Sequence, residues 1–123
     1  MSTLGLYLHI PFCVKKCNYC DFLSFSAKEA QKDEYVKALA MEMRLWKDKV
    51  SNDVVDTIFI GGGTPSLLTE GQFDVLQNEM VKSFHLSDKM EYTIECNPGT
   101  VDAEKLKNYK KAGVNRISLS LIH

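Results

Sequence analysis

The 123-residue sequence predicts an α/β fold, a parallel sheet laid out in the order βαβαβαβ. Three observations predict it. Four short apolar stretches alternate with three helix-periodic ones. Proline, glycine or asparagine closes each of the first three apolar stretches. The residues with unusual chemistry fall just after those closures. With right-handed crossovers, ligands gather at the carboxyl ends of such strands.

Leu4 to Ile10 is apolar and β-leaning, and Pro11 ends it by removing a ladder donor, which makes it strand one. From Ala27 to about Val50, Tyr35, Leu39, Met43 and Trp46 recur at helical spacing, with Val36 and Ala40 alongside. Val54 to Ile60 is the second strand, β-branched around Asp56 and stopped by Gly61-Gly62-Gly63. Thr69-Glu-Gly-Gln72 has the form of a capping box, after which Phe73, Leu76, Met80 and Phe84 keep helical spacing. Glu91 to Cys96 is the third strand, closed by Asn97-Pro98-Gly99. Thr100 is placed to cap a third helix whose first turn holds Asp102 and Glu104. Leu106 and Tyr109 give that helix an apolar stripe, Gly113 a left-handed end, and Lys105, Lys107, Lys110 and Lys111 a face toward water. Val114 to Leu121 alternates as a half-buried fourth strand.

No helical pattern follows that strand, and a closed (β/α)₈ barrel takes roughly 200 residues or more. The pattern reads as part of a barrel within one domain. Fifteen Lys and Arg against sixteen Asp and Glu give a net charge of −1, with 45% hydrophobic residues. That composition excludes a disordered chain and gives no basic field for nucleic acid or anionic lipid. No window approaches the ~20 apolar residues of a membrane span, and the first residues have neither the basic region nor the cleavage site of a signal peptide. A cytosolic protein is expected.

Cys13, Cys17 and Cys20 fall within eight residues, whereas Cys96 stands far away. In a reducing compartment clustered thiols point to metal or catalysis rather than to disulfides. The CxxxCxxC run can bind three irons of an iron–sulfur cubane and leave a fourth open to a substrate or cofactor. The alternative is a zinc site completed by Cys96 or a histidine, although zinc favours four closed ligands and commonly CxxC pairs. Gly61-Gly-Gly-Thr64-Pro65 lets a ligand approach the backbone and offers the Thr64 hydroxyl, but it is neither a P-loop nor a dinucleotide fingerprint. Alone it reads equally as a glycine turn. Glu95 could accept a hydrogen bond from a cofactor amine or hydroxyl, or be a solvated strand end.

Taken together, Tyr7-x-His9-Ile10-Pro11-Phe12-Cys13, CxxxCxxC, the GGGTP segment and Ile94-Glu95-x-Asn97-Pro98 resemble the radical S-adenosylmethionine (SAM) enzymes. Within them the likeness is to the oxygen-independent coproporphyrinogen III oxidase-like branch, over nearly the whole chain. The resemblance implies the N-terminal part of a (β/α) partial barrel. It also implies a 4Fe-4S cluster on Cys13, Cys17 and Cys20, whose unique iron is chelated by SAM and whose electron cleaves SAM to a 5′-deoxyadenosyl radical. By the same resemblance Tyr7, Gly62, Gly63, Thr64 and Glu95 line the SAM site, and Tyr19 packs on the adenine.

Two departures refine the likeness. Coproporphyrinogen dehydrogenases carry a further cysteine two positions after the third ligand, where this chain has Phe22. Cys20-Asp21-Phe22 resembles the HemW-type heme chaperones of the branch, which bind heme and deliver it to proteins. The oxidase, which decarboxylates coproporphyrinogen III, is the alternative, and a zinc-binding module without activity is the second alternative. Family members also continue the fourth strand with Gly and Gln near Ser120 and Ile122, and this sequence instead ends Ser-Leu-Ile-His123. Residues 1–123 are therefore expected to be an incomplete radical SAM core, with an open sheet edge that favours association, a dimer included.

His9 precedes Ile-Pro-Phe and reads either as a residue that polarises the cluster or as a core histidine. His85 and His123 read as loop residues. Cys96 alternates with core positions of strand three and reads as a buried small hydrophobe. Lys15 and Lys16, inside the cysteine run, could draw an acidic flavodoxin-type electron donor or simply be solvated.

Overall fold

A computed structural model describes residues 2–12 and 22–119, with the side chains of the first helix described from Glu29 onward. The elements are β1 (Ser2–Ile10), α1 (Phe22–Trp46), β2 (Asp53–Gly62), α2 (Glu70–Ser83), β3 (His85–Cys96), α3 (Ala103–Ala112) and β4 (Arg116–Leu119). Two single 3₁₀ turns, Pro65–Leu67 and Pro98–Thr100, follow β2 and β3.

The four strands are parallel and lie in the order β1-β2-β3-β4. Each crossover advances the sheet by one strand in the same direction. Right-handed connections of that kind put every helix on one face. The helix side carries the core: Leu8 and Ile10 of β1, Val55, Ile58 and Ile60 of β2, and Tyr92, Ile94 and Cys96 of β3. They pack on Val36 and Met43 of α1, Phe73, Leu76 and Met80 of α2, and Tyr109 of α3. Burying each of these side chains contributes roughly 1.5–3 kcal/mol before the entropy of ordering it is counted. The opposite face is bare among the described residues, and there Tyr7 and Phe59 stand exposed.

The capping box forms as the sequence predicts. Thr69 Oγ1 accepts from Gln72 N at 3.1 Å and Gln72 Oε1 accepts from Thr69 N at 2.9 Å. Gly113 ends α3 at φ 111°, in the left-handed region.

Several boundaries differ from the sequence reading, each for a physical reason. Helix α1 begins at Phe22 and ends at Trp46, where the N–H of Val50 turns back onto the Trp46 carbonyl. A bulge at Asp56 resets the alternation of β2, so that Val55 and Ile58, three apart, face the same core. Strand β3 starts at His85 rather than Glu91. His85 and Leu86 pair with Val54 and Val55, and the turn-like Ser87-Asp88-Lys89 run is absorbed as an irregularity before Glu91 pairs with Thr57. His85 is thus the first strand residue and not a loop residue. Asp102, not Thr100, caps α3. Its carboxylate accepts from Lys105 N at 2.8 Å, while the Thr100 hydroxyl donates to the Asn97 carbonyl at 2.8 Å. Strand β4 is described from Arg116 to Leu119, and residues 120–123, with Ser120, Ile122 and His123, lie outside the described residues. Ile117 and Leu119 point to the helix side and are exposed, with no described helix over them.

Candidate functional site

Strand ends β1, β2 and β3 meet on one rim, and the contacts there are set by register. His9 pairs with Gly61 and Ile10 with Gly62. Beyond the strands the pairing continues: Gly63 N donates to the Ile10 carbonyl at 2.8 Å, and Thr64 N donates to the Phe12 carbonyl. The backbone that leads into Cys13 is thereby docked along the glycine segment. From the helix layer Tyr35 secures the same stretch, its hydroxyl donating to the His9 carbonyl and its ring meeting Phe12 edge-on at 5.6 Å.

Gly62 has φ 113°, a conformation that side chains rarely adopt, and a Cβ there would lie 2.7 Å from His9 Nδ1 and 2.9 Å from the Ile10 carbonyl oxygen. Its N–H donates to Glu95 Oε1 at 2.9 Å. Gly61 is equally constrained, since a Cβ would fall 2.5 Å from both Glu95 Oε1 and the Phe59 ring. Thr64 is buried, only 2% exposed, so its hydroxyl is not open on the rim as the sequence suggested. On the bare face Tyr7 stacks on Phe59, with ring centroids 5.9 Å apart and planes 16° apart, and its hydroxyl lies 3.3 Å from His9 Nδ1. His9 is itself exposed there. The core-histidine reading is corrected, because odd-numbered residues of β1 point away from the helices.

The structure therefore brings Tyr7, Gly62, Gly63, Thr64 and Glu95 of the predicted site to one end of the sheet. Cys13, Cys17, Tyr19 and Cys20, with Lys15 and Lys16, lie outside the described residues. Cys96 follows Glu95 but points the other way, into the core. Its thiol is 1% exposed, and burial pushes its pKa up to about 11. Cys96 lies within the hydrophobic core cluster and packs there as a small hydrophobe. Phe59 and Ser66 belong to the same rim and escaped the sequence reading, while Gly61 was read within the glycine segment and Tyr35 only as a core position of the first helix. Of the two missed residues only Phe59 left a signal, as the bare-face position two before Gly61.

Comparison with known proteins places this arrangement. Residues 7–123 match the Radical SAM superfamily. The chain belongs to that family. It is 42% identical over 126 residues to the protein named heme chaperone HemW of Haemophilus influenzae, covering 98% of this chain and 33% of that protein. To the Escherichia coli protein of the same name it is 44% identical over 122 residues, covering 98% of this chain and 32% of the relative. The radical SAM chain thus spans about a third of the length of these relatives. Among solved structures, coproporphyrinogen III oxidase (HemN) from Escherichia coli, described as a radical SAM enzyme, superposes with a TM-score of 0.84 at 29% identity. That match covers 96% of this chain and 27% of the oxidase. The βαβαβαβ sheet is accordingly the N-terminal part of the radical SAM fold as it occurs in that enzyme. Among the described residues no helix is long and apolar enough to cross a membrane.

Proposed function

We propose that this chain is the cluster- and SAM-binding N-terminal portion of a heme chaperone, a protein that binds heme and transfers it to a target protein. The observation that carries the reading is the rim itself. The backbone entering the cysteine run hydrogen-bonds to Gly63 and Thr64, and the neighbouring Gly62 N–H is held by Glu95.

The donor set fits the group. Three thiolates at CxxxCxxC spacing supply the soft sulfur ligands of an iron–sulfur centre and leave one iron for a cofactor. When bound, the 4Fe-4S cluster supplies one electron to SAM. Cys13, Cys17 and Cys20 hold the cluster. Gly63, without a side chain, lets the methionine end of SAM approach the backbone closely, and Gly62 supplies the positive φ that turns the segment toward it. Glu95 offers a negatively charged acceptor for its ammonium, Tyr7 a hydroxyl from the bare face, and Thr64 fixes the turn behind them. Tyr19 packs against the adenine. Lys15 and Lys16 give an acidic flavodoxin-type donor its docking charge.

Phe22 supports the chaperone over the oxidase, because it stands where the oxidase-type motif has a further cysteine. The names of the relatives above support the same choice. The oxidase reading is favoured by one observation, the superposition on HemN, which reports the architecture both would share. Anaerobic titration of the reconstituted protein with heme separates them. A saturable Soret shift without conversion of coproporphyrinogen III supports the chaperone, and decarboxylation without saturable heme binding overturns it.

A further inference from the structure

The loops that follow β2 and β3 are fastened to each other by one lysine and one serine that no motif contains. Lys105, in the first turn of α3, sends its ammonium to the Ser66 carbonyl at 2.6 Å and the Thr100 carbonyl at 3.0 Å. Ser66 is fully buried, and its hydroxyl accepts from Asn97 N at 3.1 Å. The Thr100 hydroxyl is committed to the Asn97 carbonyl, so the remaining contact runs from the Ser66 hydroxyl to Thr100 Oγ1. Behind the turn, Lys32 of α1 donates to the Leu67 carbonyl at 3.0 Å.

This arrangement is held against local preference. A cation in the first turn of a helix opposes the helix dipole. Burial lowers the Lys105 pKa, and the nearby Lys32 charge acts in the same direction. A solvated lysine at this position, the expectation from sequence, would avoid the burial cost. Lys107, Lys110 and Lys111 are exposed as expected, and Lys105 is the exception. The two carbonyls it meets belong to the two loops that bear the rim. Ser66 lies two residues after Thr64, and Asn97 lies two residues after Glu95. The clamp therefore ties the loop that carries the glycine segment to the loop that follows Glu95, just beyond the last ladder pair of β2 and β3.

We propose that Lys105 and Ser66 are positioning residues that set the affinity of the Gly62–Glu95 rim for SAM without touching the cofactor. The inference rests on the SAM reading given under Proposed function. Lysine suits the task because its compact ammonium donates in several directions, whereas the planar fork of arginine fits two divergent carbonyls less well.

The test compares the reconstituted parent with Ser66→Ala, Lys105→Met and Lys105→Arg. For each, iron and sulfide content, thermal midpoint and SAM affinity are measured, the last by titrating the EPR signal of the reduced cluster. Cluster content equal to the parent is expected, with SAM affinity weaker by about tenfold in Ser66→Ala and Lys105→Met, the scale on which orienting partners of a site matter. Partial recovery is expected in Lys105→Arg. A lowered midpoint with unchanged SAM affinity would reduce the clamp to a structural role and overturn the proposal. Ser66→Ala, which removes one hydroxyl, decides the matter if Lys105→Met does not fold. A parent whose cluster forms but ignores SAM overturns the SAM reading and this inference together. A parent that responds beside variants that respond equally overturns this inference alone.

Discussion

The Glu95 carboxylate closes on the Gly62 N–H at 2.9 Å, across the seam between β2 and β3. The two residues are 33 apart in sequence, and the parallel register of β2 and β3 brings them together. A charged acceptor on a backbone N–H is a strong hydrogen bond, so the carboxylate fixes the one glycine of the rim that has positive φ. Glu95→Gln keeps an acceptor oxygen and removes the charge, whereas Glu95→Ala removes both. Both variants are expected to lose SAM affinity in EPR titrations. Only Glu95→Ala should also lower the urea midpoint, by the equivalent of about 1 kcal/mol.

Gly62→Ala is expected to be costly wherever it is measured. The added Cβ would meet the His9 ring and the Ile10 carbonyl in a conformation unfavourable to any side chain. A loss of about 1–3 kcal/mol in denaturant unfolding is predicted, with weaker cluster retention because the backbone entering Cys13 is displaced. A variant as stable as the parent would show that the segment can relax.

Glu79 links α1 to α2 and gives the fold an acid-sensitive joint. Its carboxylate accepts from Arg44 Nε at 3.0 Å and from the Ser83 hydroxyl at 2.6 Å, and the Arg44 bond is the main cause that lowers its pKa. A depressed folded-state pKa means stability that is present above the ordinary carboxylate value and lost as pH falls through the folded one. Glu79→Gln should therefore be less stable than the parent at neutral pH, and the gap should narrow below about pH 4. Urea midpoints measured across that range check the sign.

Tyr109 buries its hydroxyl without a hydrogen-bond partner among the described residues, while its ring packs on Phe73 at 4.9 Å. Tyr109→Phe keeps the ring and removes the stranded group. It is expected to leave stability unchanged or raise it by up to about 1 kcal/mol. A loss in thermal unfolding would indicate a partner for the hydroxyl.

Cys96 should be silent in the native protein. With its pKa pushed up to about 11 by burial, the thiol stays protonated, so iodoacetamide at about pH 8 should label it only after unfolding. Cys96→Ala should leave the iron bound on reconstitution unchanged, and loss of metal in that variant would revive a zinc site closed by Cys96.

Much of the fold was legible because its signals are local. The Thr69–Gln72 capping box, the left-handed Gly113 and the alternation in β1 each depend on residues close in sequence. The misread features depend on neighbours across the sheet. Asp56 bulges because β2 must satisfy β1 and β3 at once, and the polar start of β3 becomes strand because Val54 and Val55 offer partners. At the site, the positions of Glu95 and the glycines followed from strand ends. Their contact did not, nor did the part played by Phe59 against Gly61, which needs a ring to lie over bare backbone. Lys105 was read as solvated because a lysine among lysines on a helix carries no sign of the two carbonyls above it.

The sequential strand order has a consequence for how the chain acquires its shape. Every pairing among the described strands joins two strands separated by a single helix. Each closure still joins residues tens of positions apart, as Ser2 and Asp53 are, and that entropy must be met before the ladder rewards it, which makes parallel pairing of this kind slow. On the ribosome each strand emerges after the one it will pair with, and the sheet can grow by accretion from its N-terminal edge. The rim is completed in the same sequence: first the stretch ending at Phe12, then the glycines that dock on it, and last the carboxylate that locks Gly62.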